Sequence, residues 1–281
     1  MAQLERYKEI ERTIIKNYRS RLWSPFMKAI REYKLLSPGD KVCVCISGGK
    51  DSMVMAKLFQ ELKRHSDFEF EVVYLVMNPG YNDVNFNLIK KNLETLNIPA
   101  EIVKTDIFEI SNMLSEDPCY LCAKMRRGAL YNTAKSMGCN KIALGHHYDD
   151  VIETTLMNML NAGSFQTMLP KLHSTNYEGM ELVRPLYLIR EDDIIAWAKY
   201  NELEFIQCAC KFTETTKKVN ENENSGSQRL ETKKLIKVLE KEYSPYVAKN
   251  IFKAASNVNL DKLLGYKKNN KHYSYLDEYD R

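Results

Sequence analysis

The sequence predicts an α/β fold: a doubly wound parallel sheet with an N-terminal helical arm and a helical C-terminal extension. Three observations predict it. Short, continuously apolar, β-branched runs such as Val42-Cys43-Val44-Cys45-Ile46 read as strands buried on both faces. These runs alternate with segments of helical period, and such alternation joins parallel strands through right-handed crossovers. A glycine pair, Gly48-Gly49, stands between the first strand and its helix, where doubly wound sheets bind ligands, at the carboxyl ends of their strands.

The elements follow in order. Within residues 1–36, Leu4, Tyr7, Ile10, Ile14, Tyr18 and Leu22 recur every three or four positions, an amphipathic helix that Pro25 kinks or restarts. This arm holds nine Lys or Arg against four Glu, so it is either a solvated helix face or a phosphate-contacting surface. The turn Ser37-Pro38-Gly39-Asp40 precedes the first strand. Then come a helix over Met53–Leu62, a strand over Phe70–Met77, a helix over Asn85–Leu96 and a strand over Ala100–Val103. A helix over Lys124–Lys135, a strand over Lys141–Leu144 and a helix over Asp149–Leu160 extend the βαβαβ pattern. A helix at Glu191–Tyr200 and a short strand at Phe205-Ile206, ending at Cys208, close the α/β domain, expected over 37–210. Residues 211–228 have almost no apolar content and are expected to form a mobile polar loop. Residues 229–281 are expected to form two helices, Leu230–Leu239 and Tyr246–Leu264, and a frayed polar tail at Lys267–Tyr273.

Composition sets the class. With 281 residues, 44% hydrophobic and 28% charged, the chain can bury a core, and disordered, collagen-like and disulfide-miniprotein classes are excluded. No run approaches the roughly 20 apolar residues of a membrane span, and the N-terminus, charged at Glu5, Arg6 and Lys8, lacks a signal segment. A cytoplasmic location without membrane attachment is expected. Seven cysteines, an odd number, then point to metal, cluster or thiol chemistry rather than to a disulfide framework.

Two strand ends and two thiol pairs carry the chemistry. Ser47-Gly48-Gly49-Lys50-Asp51-Ser52 lies between strand and helix, where backbone N–H groups and a helix N-terminus form an anion nest. It is not a Walker A loop, because Val44 stands where that loop needs its first Gly. Gly145-His146-His147-Tyr148-Asp149-Asp150 follows the fourth strand; either Asp can cap the next helix or hold Mg2+ against a pyrophosphate. Cys119-Tyr120-Leu121-Cys122 and Cys208-Ala209-Cys210 supply thiolates from distant segments, suited to zinc or an iron-sulfur cluster. Cys43, Cys45 and Cys139 read as core.

The hexapeptide Ser47–Ser52 resembles the PP-loop of the ATP pyrophosphatases, enzymes that split ATP between the α and β phosphates and adenylate a substrate oxygen. Between about residues 40 and 265 the chain resembles the tRNA 2-thiocytidine synthetase family, the TtcA-type tRNA thiolases. Besides the PP-loop, the likeness rests on Cys119–Cys122 with Arg126-Arg127-Gly128 and Tyr131, on Lys141–His147 with Asp149-Asp150, on Arg184-Pro185-Leu186, on Ile206-Gln207-Cys208 and on Ser227-Gln228-Arg229. The resemblance implies a PP-loop α/β fold of the adenine nucleotide α hydrolase type. It also implies a four-iron four-sulfur cluster on Cys119, Cys122 and Cys208, with one iron left open. The chain has C-x-C where the family has C-x-x-C, so Cys208 and Cys210 both stand as candidates for the third ligand.

The function this implies is ATP-dependent sulfur transfer to tRNA. ATP at Ser47–Ser52, with Gly145 and His146 and with Mg2+ on Asp51 and Asp150, adenylates the C2 oxygen of a pyrimidine, an anticodon-loop cytidine, and sulfide displaces AMP. Arg126 or Lys124 stabilises the developing charge. The arm, the basic helix and the tail contact phosphates. The sulfur donor is a cysteine desulfurase or free sulfide, and a homodimer is an option. Rival readings keep the ATPase with another acceptor, through amidation, lysidine formation or small-molecule sulfur transfer, or make the chain a zinc-stabilised nucleotide-binding module.

Overall fold

A strand buried along every residue but its first needs cover on both faces, and β1 (Lys41–Ile46) has that pattern. The computed structural model describes residues 5–114, 118–206 and 228–279, excepting the side chains of 112, 114, 118–120 and 278. Beside β1 lie β2 (Glu71–Asn78), β3 (Ala100–Lys104), β4 (Lys141–Ala143), β5 (Lys171–His173) and β6 (Glu181–Val183). Their order is β3-β2-β1-β4-β6-β5, all parallel except β5 at the edge. The chain winds outward from β1 through β2 to β3, then returns to the other side of β1 as β4. That reversal makes a crevice at the carboxyl ends of β1 and β4.

Helices α3 (Lys50–His65), α4 (Asp83–Thr95), α5 (Ile107–Leu114), α6 (Pro118–Ser136), α7 (Tyr148–Ala162) and α8 (Glu191–Tyr200) connect and follow the strands. The N-terminal segment is α1 (Arg6–Lys16), a π turn at Arg19–Trp23 and α2 (Ser24–Glu32), so the helix is interrupted just ahead of Pro25. Ile10, Ile14, Leu22 and Phe26 from this segment are fully or almost fully buried. Tyr18 donates to Ala196 O at 2.9 Å and Trp197 Nε1 donates to Thr13 Oγ1 at 3.1 Å, which ties the segment to α8.

The chain forms two compact units, one of residues 1–150 and 169–225, the other of 151–168 and 226–281. The second holds the body of α7, α9 (Gln228–Glu242), α10 (Val247–Ala254) and the hairpin β7 (Gly265–Lys268) and β8 (Lys271–Ser274). In it Arg229 pairs with Glu153 at 3.4 Å and donates to Thr154 Oγ1 at 3.3 Å.

Several expectations need correction. Phe205-Ile206 is not a strand. Asn92 Nδ2 donates to Glu204 O at 2.8 Å, so a side chain of α4, not a neighbouring strand, holds that segment. The helix expected over Tyr246–Leu264 ends at Ala254, and Asn259 then caps a short 3-10 turn by accepting from Asp261 N–H. The tail expected to fray at Lys267–Tyr273 is the β7–β8 hairpin. Helix α5 and the three-residue strands β5 and β6 were not expected. The loop expected at 211–228 lies outside the described residues except for Gln228, which opens α9.

Candidate active site

At the end of β1 the chain must turn sharply into α3. Gly48 makes the turn with φ +88°, and a Cβ there would lie 2.6 Å from Ile89 Cγ1 and 2.9 Å from Ile206 Cδ1, so only Gly fits. Serines lock the loop: Ser47 N–H donates to Ser52 Oγ at 3.2 Å, and Ser52 Oγ donates to Gly49 O at 2.9 Å. The loop after β4 approaches from the side. A Cβ on Gly145 would stand 3.2 Å from Asp51 C and Ser52 N, so the absence of a side chain lets the two backbones meet.

The charged groups sort by what holds them. Lys50 Nζ lies 3.1 Å from Asp51 Oδ2 and 3.0 Å from Glu191 Oε1. Burial lowers the Lys50 pKa, but these two carboxylates outweigh it and hold the ammonium above its ordinary value. Asp149 is committed to structure: Arg190 Nε donates to it at 3.0 Å and Glu191 N–H at 2.6 Å, which fixes the start of α8. Asp150 Oδ2 accepts from His147 N–H at 2.9 Å, closing the first turn of α7 while the residue still faces a cavity. Asp51 differs from both, because its Oδ1 is buried without a hydrogen-bond partner, with His147 Nε2 3.9 Å away. An unsatisfied buried carboxylate oxygen fits a site that takes a cation, and Mg2+ needs only one or two carboxylates besides phosphates and waters.

These residues line two cavities that share Ser47, Asp51 and Arg126. One, of about 330 Å³, also has Ser52, Gly145, His146 and Asp150 on its wall. The other, of about 630 Å³, adds Gly49, Lys50 and Lys199 with an apolar side of Ile195, Phe205 and Ile206. Cations, loop N–H groups and a helix N-terminus on one side with apolar side chains on another suit a triphosphate carrying a flat base.

Arg126 connects this pocket to the thiols, since it lies on α6 one turn after Cys122, which is half-buried. Cys119 is on the same helix, but its side chain, like Cys208 and Cys210, lies outside the described residues. Among the described residues no three His, Cys, Asp or Glu gather as a metal set. Cys43, Cys45 and Cys139 pack in the core with Leu75, Tyr131 and Ile142. A hydrogen bond with Cys139 pulls the Cys43 thiol down, but its bond to Cys45 and its burial push it well above the ordinary range. Cys139 is raised too, by its bond to Cys43 and by burial, so both thiols stay protonated and inert.

Tyr81, Glu191, His147 and Arg184 escaped the site reading. Tyr81 donates to Ser47 O at 3.2 Å, and burial raises its pKa, with the Arg126 charge opposing and Cys122 adding. Arg184 is lowered by burial against the pull of Tyr187, Tyr131 and Asp150, and its Nε has no hydrogen-bond partner. Arg184 and His147 had a sequence signal, in Arg184-Pro185-Leu186 and in the motif Gly145–Asp150, whereas Tyr81 and Glu191 had none.

Comparison with known proteins agrees with this geometry. Residues 20–213 match the PP-loop domain family. The tRNA-cytidine(32) 2-sulfurtransferase of Citrifermentans bemidjiense is 35% identical over 241 residues, 84% of this chain and 90% of that protein. Its counterpart in Geobacter sulfurreducens is 32% identical over 240 residues, 84% of this chain and 89% of that one. Among solved structures, the U34-tRNA thiolase NcsA of Methanococcus maripaludis with its [4Fe-4S] cluster superposes with a TM-score of 0.64. It is 23% identical, over 87% of this chain and 80% of that one, and supports the fold. The chain belongs to the PP-loop proteins and, within them, to the family of the tRNA-cytidine(32) 2-sulfurtransferases.

Proposed function

We propose that this protein is an ATP-dependent tRNA sulfurtransferase that replaces the C2 oxygen of an anticodon-loop cytidine with sulfur. One observation supports it most: the PP-loop residue Asp51 and Arg126 of the Cys119–Cys122 helix line the same cavities. The loop Ser47–Ser52, with Gly145 and His146, holds the phosphates of ATP, and Asp51 with Asp150 holds Mg2+. The cytidine C2 oxygen attacks the α phosphorus, the bond to the β-phosphate oxygen breaks, and pyrophosphate leaves. Arg126 stabilises the charge that develops on the phosphates and then on AMP. The C2–O bond breaks next, and that oxygen departs with AMP as sulfur bonds to C2. Cys119, Cys122 and Cys208 would hold a [4Fe-4S] cluster, which would supply the nucleophilic sulfur. Free sulfide, or the persulfide sulfur of a cysteine desulfurase reduced by a thiol, would replenish that sulfur in the cytoplasm. Exposed cations along the N-terminal helices, Arg12, Lys16, Arg19 and Arg31, contact tRNA phosphates.

Product analysis tests this reading. With tRNA present, ATP should yield AMP and pyrophosphate, and Asp51→Ala should lower that rate by about 100-fold or more while iron content stays at the wild-type level. ADP and phosphate as products, or wild-type turnover by Asp51→Ala, would contradict it.

A further inference from the structure

The β7–β8 hairpin lies beyond the residues that match the PP-loop domain, which end at 213. Its construction is specific. Asn269 and Asn270 form a two-residue turn with φ of +51° and +61°, the mirror-image turn whose twist matches a hairpin. A Cβ on Gly265 would lie 2.6 Å from Tyr273 O, so this strand end also requires Gly. Ser274 then caps the following turn in a reciprocal pair with Asp277.

The register decides what each face carries. Tyr266 pairs with Tyr273 and Lys268 with Lys271, so these four share one face, while Lys267 and His272 pair on the other. The two tyrosine rings stack at 4.8 Å with planes 10° apart, and Tyr273 is 38% exposed. Among the described residues no carboxylate pairs with Lys267, Lys268 or Lys271. Like charges directly opposite each other weaken a hairpin, so a stability argument alone gives no reason for this arrangement. The surroundings add to it: residues 228–274 hold eleven Lys or Arg against four Asp or Glu, in a chain whose whole excess is four.

We propose that this hairpin is an RNA contact, which grips the phosphate backbone of the tRNA substrate with Lys267, Lys268 and Lys271 and lays the Tyr266–Tyr273 face against sugar or an unpaired base. The inference rests on tRNA being the substrate. Clustered lysines beside a stacked pair of rings, one exposed and one half-buried, match a polyanion that also presents flat apolar faces.

The test uses the full-length protein, unfractionated tRNA and a salt titration of binding. Lys267→Gln/Lys268→Gln/Lys271→Gln should weaken binding about tenfold or more and flatten the log–log salt slope by roughly two to three. The triple Lys→Arg variant should bind as the wild type does, which separates charge from hairpin folding. In turnover the Gln variant should raise the KM for tRNA and leave the kcat at saturating tRNA unchanged. Equal affinity and slope for the Gln variant would overturn the proposal. So would unchanged tRNA binding together with lost binding to phosphatidylserine vesicles, which would assign the hairpin to a lipid surface. If the wild type binds tRNA through the hairpin but transfers no sulfur, the contact stands and the proposed reaction falls.

Discussion

At the scale of single residues, the site depends on which atoms are left unsatisfied and which side chains are missing. Asp149, Asp150 and Asp51 are three carboxylates near one crevice, yet only Asp51 keeps a buried oxygen without a hydrogen-bond partner. Gly145→Ala acts for a different reason: its Cβ would lie 3.2 Å from the backbone of Asp51 and Ser52, so the PP-loop must give by a few tenths of an ångström. A shift of that size should lower tRNA-dependent AMP formation by less than the ~100-fold that a ~1 Å misplacement costs; wild-type turnover would contradict the close approach of the two loops. The thiols should divide by environment. Cys119→Ala, Cys122→Ala and Cys208→Ala should each lose iron and sulfur transfer. Cys43→Ala, Cys45→Ala and Cys139→Ala should keep both and lose on the order of 1 kcal/mol of stability, and Cys210→Ala emptying the cluster while Cys208→Ala does not would move the third ligand. Ser47–Ser52 was legible because its chemistry is contiguous. Glu191 beside Lys50, and Tyr81 against Ser47, were not, since only the folded sheet brings positions 141 and 34 residues apart into contact.

At the scale of elements, one buried ion cluster fixes the N-terminal helix to the sheet layer. Lys57 of α3 has no exposed side-chain surface and lies 2.5 Å from Glu11 of α1, which also pairs with Arg64 at 2.8 Å. Glu11→Ala should therefore destabilise by about 3 kcal/mol, because the lysine loses its counter-charge. Glu11→Leu with Lys57→Met should recover most of that loss; a double variant as unstable as the single would show that packing, not charge, holds α1. Burial raises the Glu11 pKa, but bonds from Arg64 and Lys57 outweigh it, so the folded value lies below the ordinary value of 4.5. A depressed carboxyl contributes stability above its unfolded pKa and loses it as pH falls through the folded one. Denaturation midpoints should thus fall on acidification below about pH 4.5 in the wild type and less steeply in Glu11→Ala. Strongly periodic elements were legible, and α8 was bounded at Glu191 and Tyr200 from sequence alone. The hairpin was not, because Lys267–Tyr273 reads as polar and its order comes from turn geometry and one ring stack rather than from buried apolar residues.

At the scale of the whole chain, charge is segregated. Residues 37–227 carry twenty Lys or Arg against 26 Asp or Glu, residues 1–36 and 228–274 carry excesses of five and seven, and residues 275–281 a deficit of two. A net charge of four therefore conceals an acidic middle of the sequence flanked by two basic segments, each able to attract a polyanion. Exchange of a cytidine oxygen for sulfur is read out by nucleoside analysis of the product. Protein reconstituted with iron and sulfide without oxygen is incubated with ATP, Mg2+ and tRNA from cells lacking it, and the digested nucleosides are weighed by mass spectrometry. The product should be 2-thiocytidine that requires ATP and disappears with Asp51→Ala and with Cys122→Ala. Thiolated uridine in its place, or AMP formation on tRNA with no sulfur incorporated, would contradict it.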